Sequence, residues 1–381
     1  MINSDLRTQR MKVKLCDVCE RKSSNLKQSE IINKNGDYPI YGATGYLGNV
    51  DFYHIEKPYV AVIKDGAGIG RTTLHPGKSS IIGTMQYLIP KEGILPEYLY
   101  YVVKYMHLEK YYTGATIPHI YFKDYKNEEF NFAPFEKQKK IVECLKKVEN
   151  IIDDQQTEIK TLESLIKARF VEMFGDPQIN EKGFTKASMG EYLSLLTDFS
   201  SNGSYKALDS GVTMYDEPNY AWMVRTTDLE SGDMSSIKYI DKKAYELLSK
   251  SKIFGGEIIM NKIGSAGKIY IMPKLTMPAS LGRNAFMFRY DERINNIFMY
   301  YLLTSDYGQR EIQQYVRGAV TKTITKDDAR SVLIIVPPLE LQQQFAGFVQ
   351  QVDKSKLAVQ QSLKKTQLLF DSLMQEYFGE N

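Results

Sequence analysis

The side chains best suited to chemistry in this sequence sit in glycine-punctuated turns. "KDGAGIGRTT" (64–73) places Lys64, Arg71, Thr72 and Thr73 around three glycines. "NKIGSAGK" (261–268) offers Lys262 and Lys268 in a similar setting, and "LGRN" (281–284) offers Arg283 and Asn284. "TGATIPH" (113–119) carries Thr116 and His119, "RGAVTKT" (317–323) carries Arg317, Thr321 and Lys322, and "MVRTTD" (223–228) carries Arg225 and Thr226. Arg, Lys, Asn and Thr hydrogen-bond base edges and phosphate oxygens, and glycine lets backbone N–H groups approach a phosphate. These turns therefore suit nucleic-acid recognition. Any one of them alone is more often a hairpin with a solvated charge.

Reaction chemistry finds little support. Gly66, Gly68 and Gly70 lack the G-x-G-x-x-G spacing of a dinucleotide loop. "PGKSS" (76–80) would be a P-loop only with glycine at position 72, which is Thr72. Cys16 and Cys19 form a C-x-x-C without a second ligand pair, so structural thiols are expected rather than zinc. His54, His75, His107 and His119 show no metal spacing. The only Pro-Pro, Pro337-Pro338, is not the Asn-Pro-Pro-aromatic or Asp-Pro-Pro-aromatic motif of amino-methyltransferases. We expect no catalytic residues, no metal and no cofactor bound by this chain.

The 381 residues allow two or three domains, with 43% hydrophobic content typical of a globular protein. No apolar run reaches the ~18 residues of a membrane span. Neither a signal peptide nor a disulfide framework is evident, so a cytoplasmic protein without membrane contact is expected. The net charge of +3 fits locally clustered basic residues better than a general polycation.

The turns are positioned by a unit written twice. Phe174-Gly175 and Phe378-Gly379 are 204 residues apart, as are Pro134, Glu136, Gln138 and Pro338, Glu340, Gln342. Gly114-Ala115 matches Gly318-Ala319 at 204, and Lys123-Asp124 matches Lys326-Asp327 at 203, which suggests one gap. Between the Pro and the Phe of each tail, apolar residues alternate four and three apart: Ile141, Leu145, Val148, Ile152, then Ile159, Leu162, Ile166 and Met173. That is a heptad seam, with Gln155 and Arg169 at the two remaining positions. Each tail balances its charges, eight basic against eight acidic in 136–174 and four against four in 340–378, as on a coiled-coil surface. Gly175 and Gly379 fit the left-handed position that ends a helix.

A helix of about 39 residues is ~58 Å long and needs a partner. Each tail follows its own variable region, so if they pair, they run antiparallel. The expected architecture is α+β: two α+β domains joined by a long antiparallel two-helix coiled coil, a dumbbell with an internal pseudo-two-fold. The expected segments are a first domain over 1–135, a first helix over 136–175, a second domain over 176–338 and a second helix over 339–381.

"PFEKQKKI…MFGDP" and "PLELQQQF…YFGEN", with "KDGAGIGR" and the "GATIP" turn, resemble the DNA-specificity subunit of type I restriction–modification systems over nearly the whole chain. The resemblance implies that each variable region is a target recognition domain reading one half of a bipartite site in double-stranded DNA. It implies that the helices set the spacing and dock two methylation subunits, which bind S-adenosylmethionine, and that restriction/translocase subunits can join. It also implies a non-catalytic chain; a departure is expected in that the extra terminal repeat of some relatives is absent. From the residues alone, a stand-alone DNA-modifying enzyme and a coiled-coil scaffold without DNA binding remain as alternatives.

Overall fold

The computed structural model describes residues 11–31, 35–114 and 118–379. Thr116, one of the expected contact residues, lies outside them. The chain forms two compact units. One joins the described residues up to Glu158 to those from Val359; the other is Ile159–Ala358.

In the first unit, "YVAVI" (Tyr59–Ile63) is a central strand buried at every residue. It is covered on both faces and so reads as a continuous apolar run rather than an alternation. It lies between Met85–Pro90 and Thr72–His75, with Cys19–Ser23 beyond Met85–Pro90, all neighbours antiparallel. Val60, Val62 and Leu88 face the helix Pro96–Tyr105 and the long helices, while Tyr59, Ala61 and Tyr87 pack with Ile55, Ile81 and Met85. A small sheet of Gly45–Val50, Tyr38–Gly42 and Ser80–Ile81 has its last two strands parallel. A ribbon of Met11–Lys14 and Glu129–Phe132 leads into the first long helix.

The second unit repeats this plan. Leu193–Asp198, Ala285–Tyr290, Ile258–Asn261 and Ile269–Ile271 form an antiparallel sheet in the same order, followed by the helix Asn296–Thr304 and the ribbon Thr185–Ser188 with Leu333–Val336. Ala221–Val224 and Ala279–Leu281 reproduce the parallel pair. The second unit adds helices Tyr205–Gly211, Thr226–Ser231 and Lys242–Leu247. Phe199, Leu208, Met223, Ile240 and Leu248 give this addition its own core.

The tails are helices of 40 residues each, Phe135–Phe174 and Leu339–Phe378. Every seam position from Ile141 to Met173, and from Phe345 to Tyr377, is at least half shielded from solvent. In the first unit, Ile141, Leu145 and Val148 share a core with Phe370, Met374 and Phe378, and Gln155 Nε2 donates to Ser362 Oγ at 2.8 Å. In the second, Ile166, Phe170 and Met173 pack with Phe345, Val349 and Val352, and Lys356 pairs with Glu163 at 2.5 Å. The early part of each helix thus lies beside the late part of the other, which is the antiparallel pairing expected from connectivity.

The Phe-Gly ends are docking groups. The Phe378 ring meets Tyr98 edge-on at 5.5 Å, in the helix of the first domain, and Asn131 Nδ2 donates to the Gly379 carbonyl. Phe174 meets Phe298 at 4.8 Å, in the corresponding helix of the second domain. Both phenylalanines are fully buried. The helix that leaves one domain therefore ends in the core of the other. Gly175 adopts the expected left-handed conformation, with φ 71°. Gly379 does not: its N–H closes on the Gln375 carbonyl at 2.9 Å without a left-handed turn.

Candidate nucleic-acid interface

The same loop pair is built in each domain by backbone hydrogen bonds. In the first, Gly66 N–H donates to Pro118 O at 3.1 Å and Ile120 N–H to Lys64 O at 2.9 Å, while Thr113 and His119 exchange two bonds of 2.8 Å. In the second, Gly264 N–H donates to Lys322 O at 2.9 Å, Ile324 N–H to Lys262 O at 3.1 Å, and Arg317 and Thr323 exchange bonds of 2.9 and 2.7 Å. A third loop joins each pair: Lys64 N–H donates to Thr84 O at 3.0 Å, and Lys262 N–H to Asn284 O at 2.8 Å. These bonds equate Ile120 with Ile324, so the 204-residue register continues without the gap suggested by Lys123-Asp124 and Lys326-Asp327.

The structure thus gathers Lys64, His119 and Arg71 in one loop cluster, and Lys262, Asn284, Arg317, Thr321 and Lys322 in another. Four glycines of these loops use their N–H groups within the protein. Gly66 and Gly264 use their N–H groups in the inter-loop bonds, and Gly70 and Gly267 use theirs to close hairpins on Ile63 O and Asn261 O. At Gly70 an added Cβ would come 2.4 Å from Glu109 N, and at Gly267 2.6 Å from Ile312 Cγ2. These glycines let the turn lie against the next segment; they do not present free amides.

Several candidate cations have protein partners. Arg225 holds Asp228, a buried carboxylate, through Nε at 3.0 Å and Nη2 at 2.5 Å, and also donates to Ser236 O at 2.7 Å. Trp222 Nε1 donates to the same carboxylate at 3.2 Å, so Arg225 anchors its loop. Lys268 pairs with Glu230 at 2.5 Å and Arg317 with Asp328 at 3.0 Å. Arg71 donates to Ala43 O. His119 Nδ1 lies 2.6 Å from Asp65 Oδ1. Lys262 and Lys326 share Asp198, at 2.7 and 2.8 Å. Burial works against the Asp198 charge, but the two ammonium groups and the Ser201 hydroxyl outweigh it and hold its carboxyl down at about 2.

Thr72 and Thr73 are drawn away from the loops. They lie on the strand Thr72–His75, beside a cleft shared with Glu97, Tyr100 and Glu149 of the helical face. Thr226, Arg283 and Asn284 instead border a cleft of about 250 Å³ with Phe199, Met214 and Met223. Arg283 lies over the Phe199 ring at 5.0 Å and pairs with Asp209 at 3.2 Å. Asn284 is exposed and holds φ at 68°, an uncommon backbone for a residue with a side chain and one often found at functional sites.

Sequence reasoning passed over Asp198, Asp228 and Glu230, the carboxylates that hold these cations, and Lys326. Their positions depend on which strands meet, which no local pattern reports. Of the three cysteines, all free, Cys19 is buried, and burial pushes its thiol up to about 12. Among the described residues, no helix is long and apolar enough to cross a membrane.

The family described as "Type I restriction modification DNA specificity domain" matches residues 9–164 and 182–368, once per repeat. The type I restriction enzyme MjaVIII specificity subunit of Methanocaldococcus jannaschii is 26% identical over 332 residues, covering 80% of this chain and 76% of its own. The MjaIX specificity subunit of the same organism is 24% identical over 311 residues, covering 77% and 71%. Among solved structures, the S subunit of a type I restriction-modification system from M. genitalium aligns over 100% of this chain and 98% of its own, with TM-score 0.59 and 16% identity. A chain from a structural study of type I R-M complex assembly aligns over 96% and 97%, with TM-score 0.54 and 15% identity. These two likenesses show the fold.

Proposed function

The chain belongs to the type I restriction modification DNA specificity family, and on that premise we propose how it works: as a non-catalytic reader of a two-part target in double-stranded DNA that positions methylation subunits there. The observation that carries this reading is the duplicated loop cluster. Two domains of one topology present the same three bridged loops, with different side chains on them. A repeated scaffold with divergent contacts suits two half-sites of different sequence.

In this reading Lys64, Arg71, His119 and Thr116 serve the first half-site. Lys262, Arg283, Asn284, Thr321 and Lys322 serve the second, while Arg225, Lys268 and Arg317 support loops through their carboxylate partners. Thr72, Thr73 and Thr226 are outlying members of the two surfaces. The paired helices hold two methylation subunits, which supply S-adenosylmethionine, and restriction subunits join that assembly. A DNA target places the protein in the cytoplasm.

The test is to assemble the chain with its methylation subunits and map the methylated positions on a genomic library. A discontinuous motif whose halves change separately with loop substitutions in the two domains supports the reading. Methyl transfer or cleavage by the purified chain alone, or a complex whose methylation pattern ignores these loops, overturns it.

A further inference from the structure

We propose that the first recognition domain, and not the second, carries a sequence-independent site for DNA backbone phosphate, built by Arg21, Lys64, Lys123 and Lys126. The inference rests on the DNA-recognition reading above and adds an asymmetry between the two readers.

The four cations surround a cleft of about 470 Å³ beside the first loop cluster. The one carboxylate in it is Asp65, which His119 Nδ1 approaches to 2.6 Å and Lys64 to 3.7 Å. Among the described residues, no carboxylate pairs with Arg21, Lys123 or Lys126. Arg21 is steadied by Ser23, whose Oγ accepts from Nη2 at 2.6 Å, and Lys123 lies 5.3 Å over the Tyr121 ring. Gln86, the amide in the cleft that could read a base, is buried and donates to Tyr125 Oη at 2.6 Å. What remains accessible is positive charge, with the one amide of the cleft already occupied, and such charge attracts phosphate whatever the sequence.

The corresponding corner of the second domain is filled and neutralised. Ser23 stands opposite Gln86 in the first sheet, and Asp198 stands opposite Phe286 in the second. Lys64 and Lys262 follow the same central strand, by the loop bonds described above. Asp198 thus occupies the place of Ser23, and it takes both Lys262 and Lys326. Phe286 occupies the place of Gln86, with Lys262 5.6 Å over its ring. The serine-to-aspartate change, with Leu196 in the place of Arg21 and Phe286 in the place of Gln86, separates an open cationic corner from a closed one.

The experiment measures affinity of the full chain, assembled with its methylation subunits, for a duplex bearing its own target and for a scrambled duplex, across a potassium chloride series. Replacing Arg21, Lys123 and Lys126 together by Gln should reduce the slope of log affinity against log salt by about 2 to 3, at roughly 0.9 for each phosphate no longer neutralised. It should weaken both duplexes equally. Ser23→Asp should reduce the slope by about 1, and Asp198→Ser should increase it. If Asp198→Ser melts the second domain, seen by circular dichroism, the exposed first-domain substitutions decide alone. An unchanged slope in the triple variant, or a loss confined to the target duplex, overturns the inference while the recognition reading stands. A wild-type complex that does not prefer its target over the scrambled duplex overturns both.

Discussion

The side chain of Gln138 ties three backbone groups together, and that of Gln342 ties the three that correspond to them one repeat later. Gln138 accepts from Leu95 N–H at 3.0 Å and donates to Gly93 O and Ala133 O at 3.1 and 3.0 Å. Gln342 accepts from Asn295 N–H at 2.8 Å and donates to Arg293 O and Pro337 O at 3.2 and 2.8 Å. Both are fully buried. The glutamine of "P-x-E-x-Q" fastens the start of each long helix to the turn before the shorter helix of its domain.

Removing either amide strands one buried and two half-buried backbone groups, at up to about 1–3 kcal/mol for each left unmade. Gln138→Leu should destabilise the first unit by about 3 kcal/mol and Gln342→Leu the second by a similar amount. Amide hydrogen exchange resolved by peptide checks this: protection should fall in one unit per variant. Loss in both units together would show that they do not melt separately.

Phe378→Ala should free the end of the second long helix from Tyr98, at about 3–5 kcal/mol for a large buried aromatic. Limited proteolysis should then cut between Phe370 and Phe378. Phe174→Ala should act in the same way on the second unit, where Phe174 meets Phe298 and Phe345 at 4.8 and 5.5 Å.

Asn284→Gly should separate folding from recognition. Glycine accepts the positive φ at that position without strain, so thermal stability should hold or rise slightly. The missing amide should weaken discrimination at the second half-site by about 1–3 kcal/mol if it meets a base edge. Binding competition between duplexes varied in that half-site alone measures it.

Acid should loosen the first unit before the second. Burial beside Tyr41 and Tyr59 pushes His75 down to about 4, and His54 shifts in the same direction. A histidine depressed from about 6.5 on folding contributes stability that is present above that value. It is lost progressively as pH falls towards 4, about 3 kcal/mol for His75. Asp198 behaves alike at lower pH: its contribution is present above about 3.8 and fades only towards 2. Urea unfolding at pH 7 and pH 4.5 should show the first unit weakened, and His75→Phe should reduce that pH dependence.

A fragment from Met1 to Pro177 lacks Phe370, Met374 and Phe378, which close the first core. At 204 residues earlier it carries Ile166, Phe170 and Phe174, so a second copy can fill the gap. Light scattering should find a dimer whose complex methylates inverted copies of one half-target, since isologous dimers read symmetric sites. A folded monomer would contradict the packing of these side chains.

Much of this was legible in the sequence, for physical reasons. The heptad spacing of Ile141 to Met173 needs only local periodicity, and the 204-residue match of Phe174 and Phe378 needs only comparison of the chain with itself. The docking of Phe378 on Tyr98 was not legible, because a buried aromatic shows apolarity and not its partner. The fate of the cations was hidden for the same cause. Arg225 and Lys262 look like contact residues in the string, and only the meeting of strands brings Asp228 and Asp198 to them. The small sheet and added helices of the second unit were missed because their short strands carry no periodic signal.

The first unit is built from two stretches of chain separated by the whole of the second. On the ribosome, Ile159–Ala358 can complete its core as it emerges, while the earlier domain waits for Phe370, Met374 and Phe378 to be synthesised. The order of completion therefore reverses the order of translation. A nascent chain interrupted before Val359 carries a finished second core and an open first one, with the apolar face of Ile141, Leu145 and Val148 uncovered. The first core is thus complete only once the segment that carries Phe370, Met374 and Phe378 has been made.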